Sequence, residues 1–168
     1  MAISRFVLGI DPGLAHTGWG VIQQKGSSLA CVAYGCIATD AQMPLHLRLG
    51  KIYAQMIAVV GKYEPDCVAI ETVWFGSNAQ SAFATGQARG AALVACGQRD
   101  MELGEYSPSQ IKLAVVGAGS ADKHQVQYMV QQLLALEKVP SPDHAADALA
   151  AAICHTTHSI SWDRGGTR

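Results

Sequence analysis

The chain lacks the features of a membrane-spanning or exported protein. No apolar run among its 168 residues reaches the roughly eighteen residues that are needed to cross a bilayer. The first residues contain a lone Arg5 and lead directly into a strand-like segment, without the basic, apolar and small-residue regions of a signal peptide. We therefore expect a cytoplasmic protein that makes no membrane contact.

Cysteine pairs of the kind that bind zinc or form disulfides are also missing. The five cysteines are an odd number at irregular spacing, and none forms a C-x-x-C pair. Neither a disulfide framework nor a structural zinc site is therefore expected. Cys154, His155 and His158 stand close together, but one helical turn supplies too few ligands for zinc.

The chain has no excess of basic residues. Twelve lysines and arginines stand against thirteen acidic residues, and the net charge is −1. Because non-specific DNA binding depends on lysine and arginine neutralising phosphates, composition alone argues mildly against a nucleic-acid partner. A DNA-binding role would require the basic residues to be concentrated on one face.

The first half of the chain has enough apolar residues to build a sheet and one long helix. Three strands are predicted over residues 6–11, 17–24 and 28–38, with Gly13 and Gly26 in the connections, as hairpins require. These strands should pair in antiparallel fashion. Apolar residues then recur at helical spacing, which predicts a helix over residues 44–62.

The second half alternates strands with helices. A continuous apolar run over residues 67–70 ends in Glu71 and is typical of a strand buried on both faces. A long helix over 78–99 and an edge strand over 102–106 follow. The helices after them are predicted to begin at Ser107-Pro108 and at Ser120.

This order predicts an α/β fold with a mixed five-stranded sheet flanked by helices. The first three strands should be antiparallel, and the strands that follow helices should join them in parallel. We expect one domain over residues 1–160 and a disordered tail over residues 161–168.

Four ligand-type side chains fall where this layout would bring them together. Asp11 ends the first strand and Glu71 ends the fourth, while His144 and Asp147 lie three residues apart on one face of the last helix. Hard oxygen ligands hold Mg²⁺ or Mn²⁺ and leave metal positions open for phosphate and water. Two such ions about 4 Å apart can activate water and stabilise the leaving oxygen in phosphodiester hydrolysis.

Each carboxylate also has an ordinary structural interpretation. Asp11 begins an Asp-Pro-Gly turn, and Glu71 is compatible with the first solvated residue after a buried strand. Asp147 is compatible with a solvated helix residue. Alanines and Leu149 surround it, however, so this helix should be packed on most sides, and a carboxylate there needs a partner.

Several blocks of the sequence, taken together, resemble the RuvC-type Holliday junction resolvases. They occur in the family's order between about residues 5 and 158, so the combination is specific although any one block is weak. The blocks are Leu8–Gly13 with Thr17–Val21, Ala69–Glu71 followed by two aromatic residues, Gly86–Gly90, Val115–Val126 and Ala145–Leu149.

The resemblance implies a ribonuclease H-like fold and a homodimeric endonuclease of recombination and DNA repair. Such an enzyme resolves four-way DNA junctions with Mg²⁺ or Mn²⁺, with two ions expected in each active site. The resemblance assigns catalysis and metal binding to Asp11, Glu71, His144 and Asp147. It also suggests a branch-migration motor complex as a partner.

The sequence departs from many relatives at His144, where they carry Asp and others carry His. A neutral imidazole removes one negative charge and is a softer ligand than a carboxylate. We therefore expect Mn²⁺ to be a better cofactor than Mg²⁺. Asp143 is four residues from Asp147, so helix geometry leaves it open as an alternative fourth ligand.

Three side chains are candidate DNA contacts. Lys123 should lie in the first turn of a helix, where a cation opposes the helix dipole unless a phosphate is bound. Lys112 on the preceding helix is a weaker candidate for the same basic patch, and relatives use lysines at these two places near the scissile phosphate. Trp74 follows Glu71 in a loop, where an aromatic ring either packs underneath or stacks on an unpaired base.

Gly86 and Gly90, four residues apart on the long helix, permit a close approach by another element. They fit either a two-fold dimer contact or packing on the sheet.

Three other functions are compatible with parts of the pattern. A phosphate-loop domain of the actin and sugar-kinase type also begins with Asp-x-Gly, but it needs a second similar domain, for which this chain has no room. A non-catalytic junction-binding protein would keep the fold with a degraded site, whereas all four ligand positions are filled here. Another nuclease of the ribonuclease H-like superfamily would differ in substrate.

Overall fold

The computed structural model describes residues 4–73 and 76–163, with side chains up to residue 158. Its five strands form one sheet in the order β3-β2-β1-β4-β5. The first three pair in antiparallel fashion, and β4 is parallel to both β1 and β5. The mixed sheet of a ribonuclease H-like fold is thereby confirmed. The strands are β1 (Ser4–Asp11), β2 (His16–Lys25), β3 (Ser28–Ala38), β4 (Cys67–Glu71) and β5 (Glu102–Tyr106).

Five helices accompany the sheet in the described part of the chain, and none of them is long and apolar enough to cross a membrane. They are α1 (Leu45–Tyr63), α2 (Ala79–Cys96), α3 (Pro108–Val116), α4 (Lys123–Leu133) and α5 (Asp143–Asp163). Helix α5 therefore extends three residues past the predicted domain end at 160. The rest of the predicted tail, residues 164–168, lies outside the described residues.

One predicted helix start was wrong. Helix α4 begins at Lys123 rather than at Ser120, because Asp122 and Gln125 form a capping box. The Asp122 carboxylate accepts a hydrogen bond from the Gln125 backbone N–H at 2.9 Å, and the Gln125 side chain accepts one from the Asp122 N–H at 2.8 Å. Two backbone N–H groups that have no partner within the helix are thus satisfied. A start at Ser120 would not achieve this, because the residue three positions later is Lys123, whose side chain cannot accept a hydrogen bond. Lys123 becomes the first helical residue.

Alternation along the strands divides the core into two layers. On β1, Leu8 and Ile10 pack with α1 and α2, whereas Val7 packs on the opposite face with α3, α4 and α5. On β4, Val68 and Ile70 belong to the first layer, and Cys67 and Ala69 belong to the second. Successive side chains of a strand point to opposite faces. Asp11 and Glu71 therefore lie on the face covered by α5.

Glycines let α5 rest directly on the sheet. A Cβ atom added at Gly9 would lie 1.8 Å from the carbonyl oxygen of Ala148, and one at Gly18 would lie 1.9 Å from the carbonyl oxygen of His144. Both contacts are with backbone, so a side chain at either position would push the helix away. The close contact at Gly18 holds the first turn of α5 over the end of β1.

Candidate metal and DNA-binding site

Asp11 and Glu71 occupy the ends of adjacent parallel strands. The preceding residues, Ile10 and Ile70, are direct partners in the β1–β4 ladder. Neighbouring strands are about 4.8 Å apart, so the two carboxylates begin from neighbouring backbone positions on the α5 face. The Asp11 side chain is only 17% exposed, and Glu71 is half-buried.

The first turn of α5 adds an imidazole and a third carboxylate. His144 Nδ1 lies 2.9 Å from Asp11 Oδ2. One ligand atom from each of Asp11, His144 and Asp147 can be chosen so that all three lie within 4.8 Å of one another. Glu71 is outside that group but lines the clefts on both sides of it, one with Asp11 and the other with Asp147. The structure thus places all four sequence-predicted residues near one another, with Glu71 beside the group formed by the other three.

Burial raises the pKa of all three carboxyl groups, and repulsion from neighbouring carboxylates adds to the rise. Burial raises the pKa of Glu71 to about 7, with repulsion from Asp11 and Asp147 adding to it. Burial also raises the pKa of Asp11, although the hydrogen bond from His144 opposes the rise. The pKa of Asp147 is raised by burial as well, against the attraction of Lys123. A bound cation would stabilise the ionised form of each carboxyl group in this cluster.

The donor set and its spacing fit a hard divalent ion. Two ligands at right angles on one ion, with bonds of about 2.1 Å, are separated by about 3.0 Å. His144 Nδ1 and Asp11 Oδ2 share a hydrogen bond at 2.9 Å, so an ion that replaced the proton between them would find both atoms near this separation. Carboxylate oxygens suit Mg²⁺ and Mn²⁺, and an imidazole nitrogen is better tolerated by Mn²⁺.

Asp143 forms an ion pair with Lys123 and is not a member of the Asp11–His144–Asp147 group. Its Oδ2 lies 3.2 Å from Lys123 Nζ, and its side chain is exposed. The hydrogen bond and charge of Lys123 lower the pKa of Asp143. Asp143 is not in the group of ligand atoms identified among the described residues. The geometry therefore favours His144 over Asp143 as the neighbour of Asp11.

Two lysines border the carboxylates. Lys112 on α3 and Lys123 on α4 line a cleft of about 280 Å³ together with Glu71 and Asp147. Lys123 Nζ lies 3.5 Å from Asp147 Oδ2. Lys112 is close enough to Glu71 to lower its pKa, against the larger effect of burial. Both basic candidates are thus beside the acidic cluster, despite the chain's small net negative charge.

A second cleft extends from the cluster along α2. It has a volume of about 400 Å³, and its lining combines Asp11 and Glu71 with polar side chains of α2 and its N-cap, among them Asn78, Ser81 and Thr85. These polar residues were not predicted from the sequence, because single Ser, Thr and Asn residues carry no distinctive spacing. Trp74, the predicted stacking residue, lies outside the described residues.

His16 was also missed. It is the first residue of β2, and its ring stacks on that of His144 with the centroids 5.3 Å apart and the planes 6° from parallel. Its spacing from Gly18 places it on the same face of β2, but nothing in the sequence indicated that His144 would lie against that face.

Helix α2 presents an exposed surface of small and apolar residues that no other described residue covers. Gly86 and Gly90 are exposed, and a Cβ at either would meet no described atom within 4 Å. They do not pack on the sheet. Phe83 and Val94 on the same helix are 65% and 57% exposed.

Comparisons with known proteins agree on one family. The family model described as crossover junction endodeoxyribonuclease RuvC matches residues 7–155. The chain is 47% identical over 156 residues to a protein of that name from Desulforamulus reducens, covering 93% of this chain and 96% of the relative. A protein of the same name from Heliobacterium modesticaldum matches with the same identity and coverage.

Solved structures show the same similarity. RuvC of T. thermophilus in complex with a Holliday junction substrate has a TM-score of 0.90 and 36% sequence identity, covering 94% of this chain and 96% of that one. The yeast mitochondrial Holliday junction resolvase Ydc2 covers 94% of this chain and 82% of its own, with a TM-score of 0.66 and 12% identity. At that identity, the likeness concerns the fold alone.

Proposed function

The chain belongs to the RuvC family of crossover junction endodeoxyribonucleases, and we propose that it resolves four-way DNA junctions by metal-dependent hydrolysis of one phosphodiester in each of two strands. The observation that carries the proposal is the cluster of Asp11, His144 and Asp147, whose ligand atoms fall within 4.8 Å of one another. Glu71 adjoins it at the end of the neighbouring strand, and lysines border it. Acidic ligands beside basic side chains suit a metal ion and a phosphate at one place.

We propose that Asp11, Glu71, His144 and Asp147 hold the ions and that the lysines hold the DNA. A divalent cation at such a site lowers the pKa of bound water and offsets charge on the leaving oxygen. Asp11 and Glu71 project from paired strands and so present a rigid edge. Lys123 is 50% exposed and is the first residue of α4, whose dipole also favours a phosphate, although the Asp122 carboxylate already accepts a hydrogen bond from one of its N–H groups. Its ion pairs with Asp143 and Asp147 orient it toward the cluster.

Two ions in each site, with Mn²⁺ preferred to Mg²⁺, fit this donor set. Three carboxylates and one imidazole offer up to seven ligand atoms, which is more than one octahedral ion can bind if it also keeps water and phosphate. The three carboxylates supply three negative charges, and His144 supplies none when neutral. Loss of a fourth charge weakens the binding of Mg²⁺ more than that of Mn²⁺, which accepts nitrogen more readily.

The test compares a labelled four-way junction with a linear duplex of the same arm sequence. Wild-type protein with Mn²⁺ should cut two symmetric strands of the junction and leave the duplex intact. Asp11→Asn should bind the junction but not cut it, because a metal ligand is lost while phosphate contacts remain. The exposed Asp100→Asn serves as the matched control and should cut normally. Junction binding without cutting by the wild-type protein in either metal would support a non-catalytic binder instead, and equal cutting of the duplex would support a different nuclease.

We further propose that the exposed surface of α2, formed by Phe83, Gly86, Gly90 and Val94, is the contact of a homodimer. A four-way junction presents two symmetry-related strands, so a two-fold dimer with two sites matches it. The exposed apolar side chains supply area to bury, and the two glycines permit close helix approach.

Sedimentation of a glycine-to-arginine pair tests this contact. Gly86→Arg should give a monomer at micromolar concentration, because a long charged side chain would stand between the two helices. Gly61→Arg on α1 is the matched control, since its Cβ likewise meets no described atom within 4 Å, and it should stay dimeric. A wild-type monomer, or a dimeric Gly86→Arg, would contradict the proposed contact.

Three further proposals rest on the family resemblance. Trp74 should stack on a junction base, so that Trp74→Ala spares metal binding but slows cutting. A branch-migration motor complex is the expected partner, to be tested by co-sedimentation with the purified motor and a junction. The cytoplasm is the expected location.

A further inference from the structure

We propose that His16 is a positioning residue, whose ring holds the imidazole of His144 in the orientation that binds metal. This inference rests on the proposed role of His144 as a ligand. His16 is not among the residues proposed to contact the metal or the DNA. Its experiment is arranged so that the two proposals can fail separately.

The ring geometry is specific. The centroids of His16 and His144 are 5.3 Å apart and the planes differ by 6°. Rings that are parallel at this distance are in the offset-stacked arrangement that aromatic pairs favour. At the same time, His144 Nδ1 is held 2.9 Å from Asp11 Oδ2. One contact fixes the plane of the ring, and the other fixes which edge points at the carboxylate.

Exposure makes the second contact necessary. The His144 side chain is 42% exposed, whereas Asp11 is 17% exposed. A partly exposed side chain near a helix start has freedom in both of its torsions unless neighbours restrict it. Metal-binding imidazoles need such restriction, and loss of an orienting partner weakens metal binding.

The fold delivers His16 to this place. His16 and Gly18 are two residues apart on β2 and therefore share the face that α5 covers. Gly18 is the residue that touches the backbone of His144, since a Cβ there would lie 1.9 Å from its carbonyl oxygen. The ring of His16 consequently emerges beside the side chain of His144 rather than under the helix.

The turn that leads to His16 is braced from two sides. Thr17 Oγ1 donates a hydrogen bond to the Gly13 carbonyl at 2.8 Å. The Thr39 N–H donates to the Ala15 carbonyl at 2.9 Å, and its hydroxyl donates to the Leu14 carbonyl. These hydrogen bonds fix the backbone beside His16, and a positioning residue requires a fixed backbone.

The test measures Mn²⁺ binding to the purified protein without DNA, through the electron paramagnetic resonance signal of free Mn²⁺ at pH 8. His144→Ala should weaken binding strongly. His16→Ala and His16→Gln should weaken it about three- to tenfold, the range that a lost aromatic pair implies. His16→Phe, which keeps a stacking ring without nitrogen ligands, should stay within about twofold of wild type. His46→Ala, at an exposed position on α1, is the control and should bind normally.

A double variant isolates the mechanism. In a His144→Ala background, His16→Ala should cause no further loss, because the ring it orients is gone. Thermal melting without metal should fall by no more than about 2–6 °C in the His16 variants, which is the loss that one aromatic pair implies; a larger fall would indicate a general loss of structure.

Each alternative result overturns a defined part of the account. Unchanged Mn²⁺ affinity in His144→Ala would remove the ligand assignment, and the role of His16 with it. A large effect of His144→Ala with none of His16→Ala and His16→Gln would remove only the role of His16. Failure of His16→Phe to restore binding, or an additional loss in the double variant, would show that ring stacking on His144 is not the cause.

Discussion

Replacing Glu71 with Gln should stabilise the metal-free protein while it abolishes cutting. Burial, with repulsion from Asp11 and Asp147, raises the pKa of Glu71 from 4.5 to about 7. The folded state therefore holds its proton more tightly than the unfolded chain does. The stability associated with that proton is complete below about pH 4.5 and is lost as the pH rises through about 7. At pH 8 the wild-type fold carries a charge that it accommodates poorly, and the Gln variant does not.

The magnitude follows from the pKa difference. The change from 4.5 to about 7 corresponds to an upper limit of roughly 3 kcal/mol. Because Glu71 retains some solvent contact, screening reduces the expected gain to about 2 kcal/mol. For a domain of this size, that gain raises the melting temperature by roughly 4–8 °C.

Thermal unfolding in EDTA from pH 5 to 8 measures the effect. Glu71→Gln should melt above wild type at pH 8, and most of the difference should disappear by pH 5. Addition of Mn²⁺ at pH 8 should then raise the melting temperature of wild type more than that of the variant, since the ion binds only the folded site. The exposed Glu137→Gln is the control and should show neither effect. A variant that is less stable than wild type at pH 8, or a gain that is independent of pH, would refute the electrostatic reasoning.

Three other changes have defined outcomes. Lys123→Ala should weaken junction binding and flatten its salt dependence by about one unit of slope; an unchanged slope would mean that the lysine contacts no phosphate. Gly18→Ala should cost about 1–3 kcal/mol in urea unfolding, because its Cβ would meet the backbone of His144; Gly61→Ala, in open space on a helix, should instead stabilise by about 0.5–1 kcal/mol. His144→Asp should cut better in Mg²⁺ than wild type does, because a carboxylate adds a negative charge and is a harder ligand than an imidazole; an identical metal preference in the two proteins would argue that His144 is not a ligand.

The sheet and the placement of its carboxylates were predictable from local pattern. The apolar run of β4 ends at Glu71, and β1 ends at Asp11, in the sequence as in the structure. Alternation then decides the face of each residue, and parallel pairing brings the strand ends together. These are short-range consequences of strand geometry, so they require no knowledge of tertiary contacts.

The start of α4 was also readable locally, because Asp122 followed three residues later by Gln125 is a capping-box pattern that Ser120 lacks. Other features depended on contacts that local pattern does not encode. The ion pair between Lys123 and Asp143 joins two separate helices. The stacking of His16 on His144 joins residues far apart in the chain and depends on how closely α5 approaches the sheet.

The most direct test of the site is anomalous scattering from Mn²⁺ in crystals of the protein. The account predicts a peak within about 2.2 Å of a side-chain oxygen of Asp11, with His144 and Asp147 as further ligands and Glu71 facing the same peak or a second one nearby. The peak should be absent from crystals of Asp11→Asn grown in the same solution. Manganese bound at another place, or a peak at this place that contacts Asp143 instead of His144, would contradict the assignment.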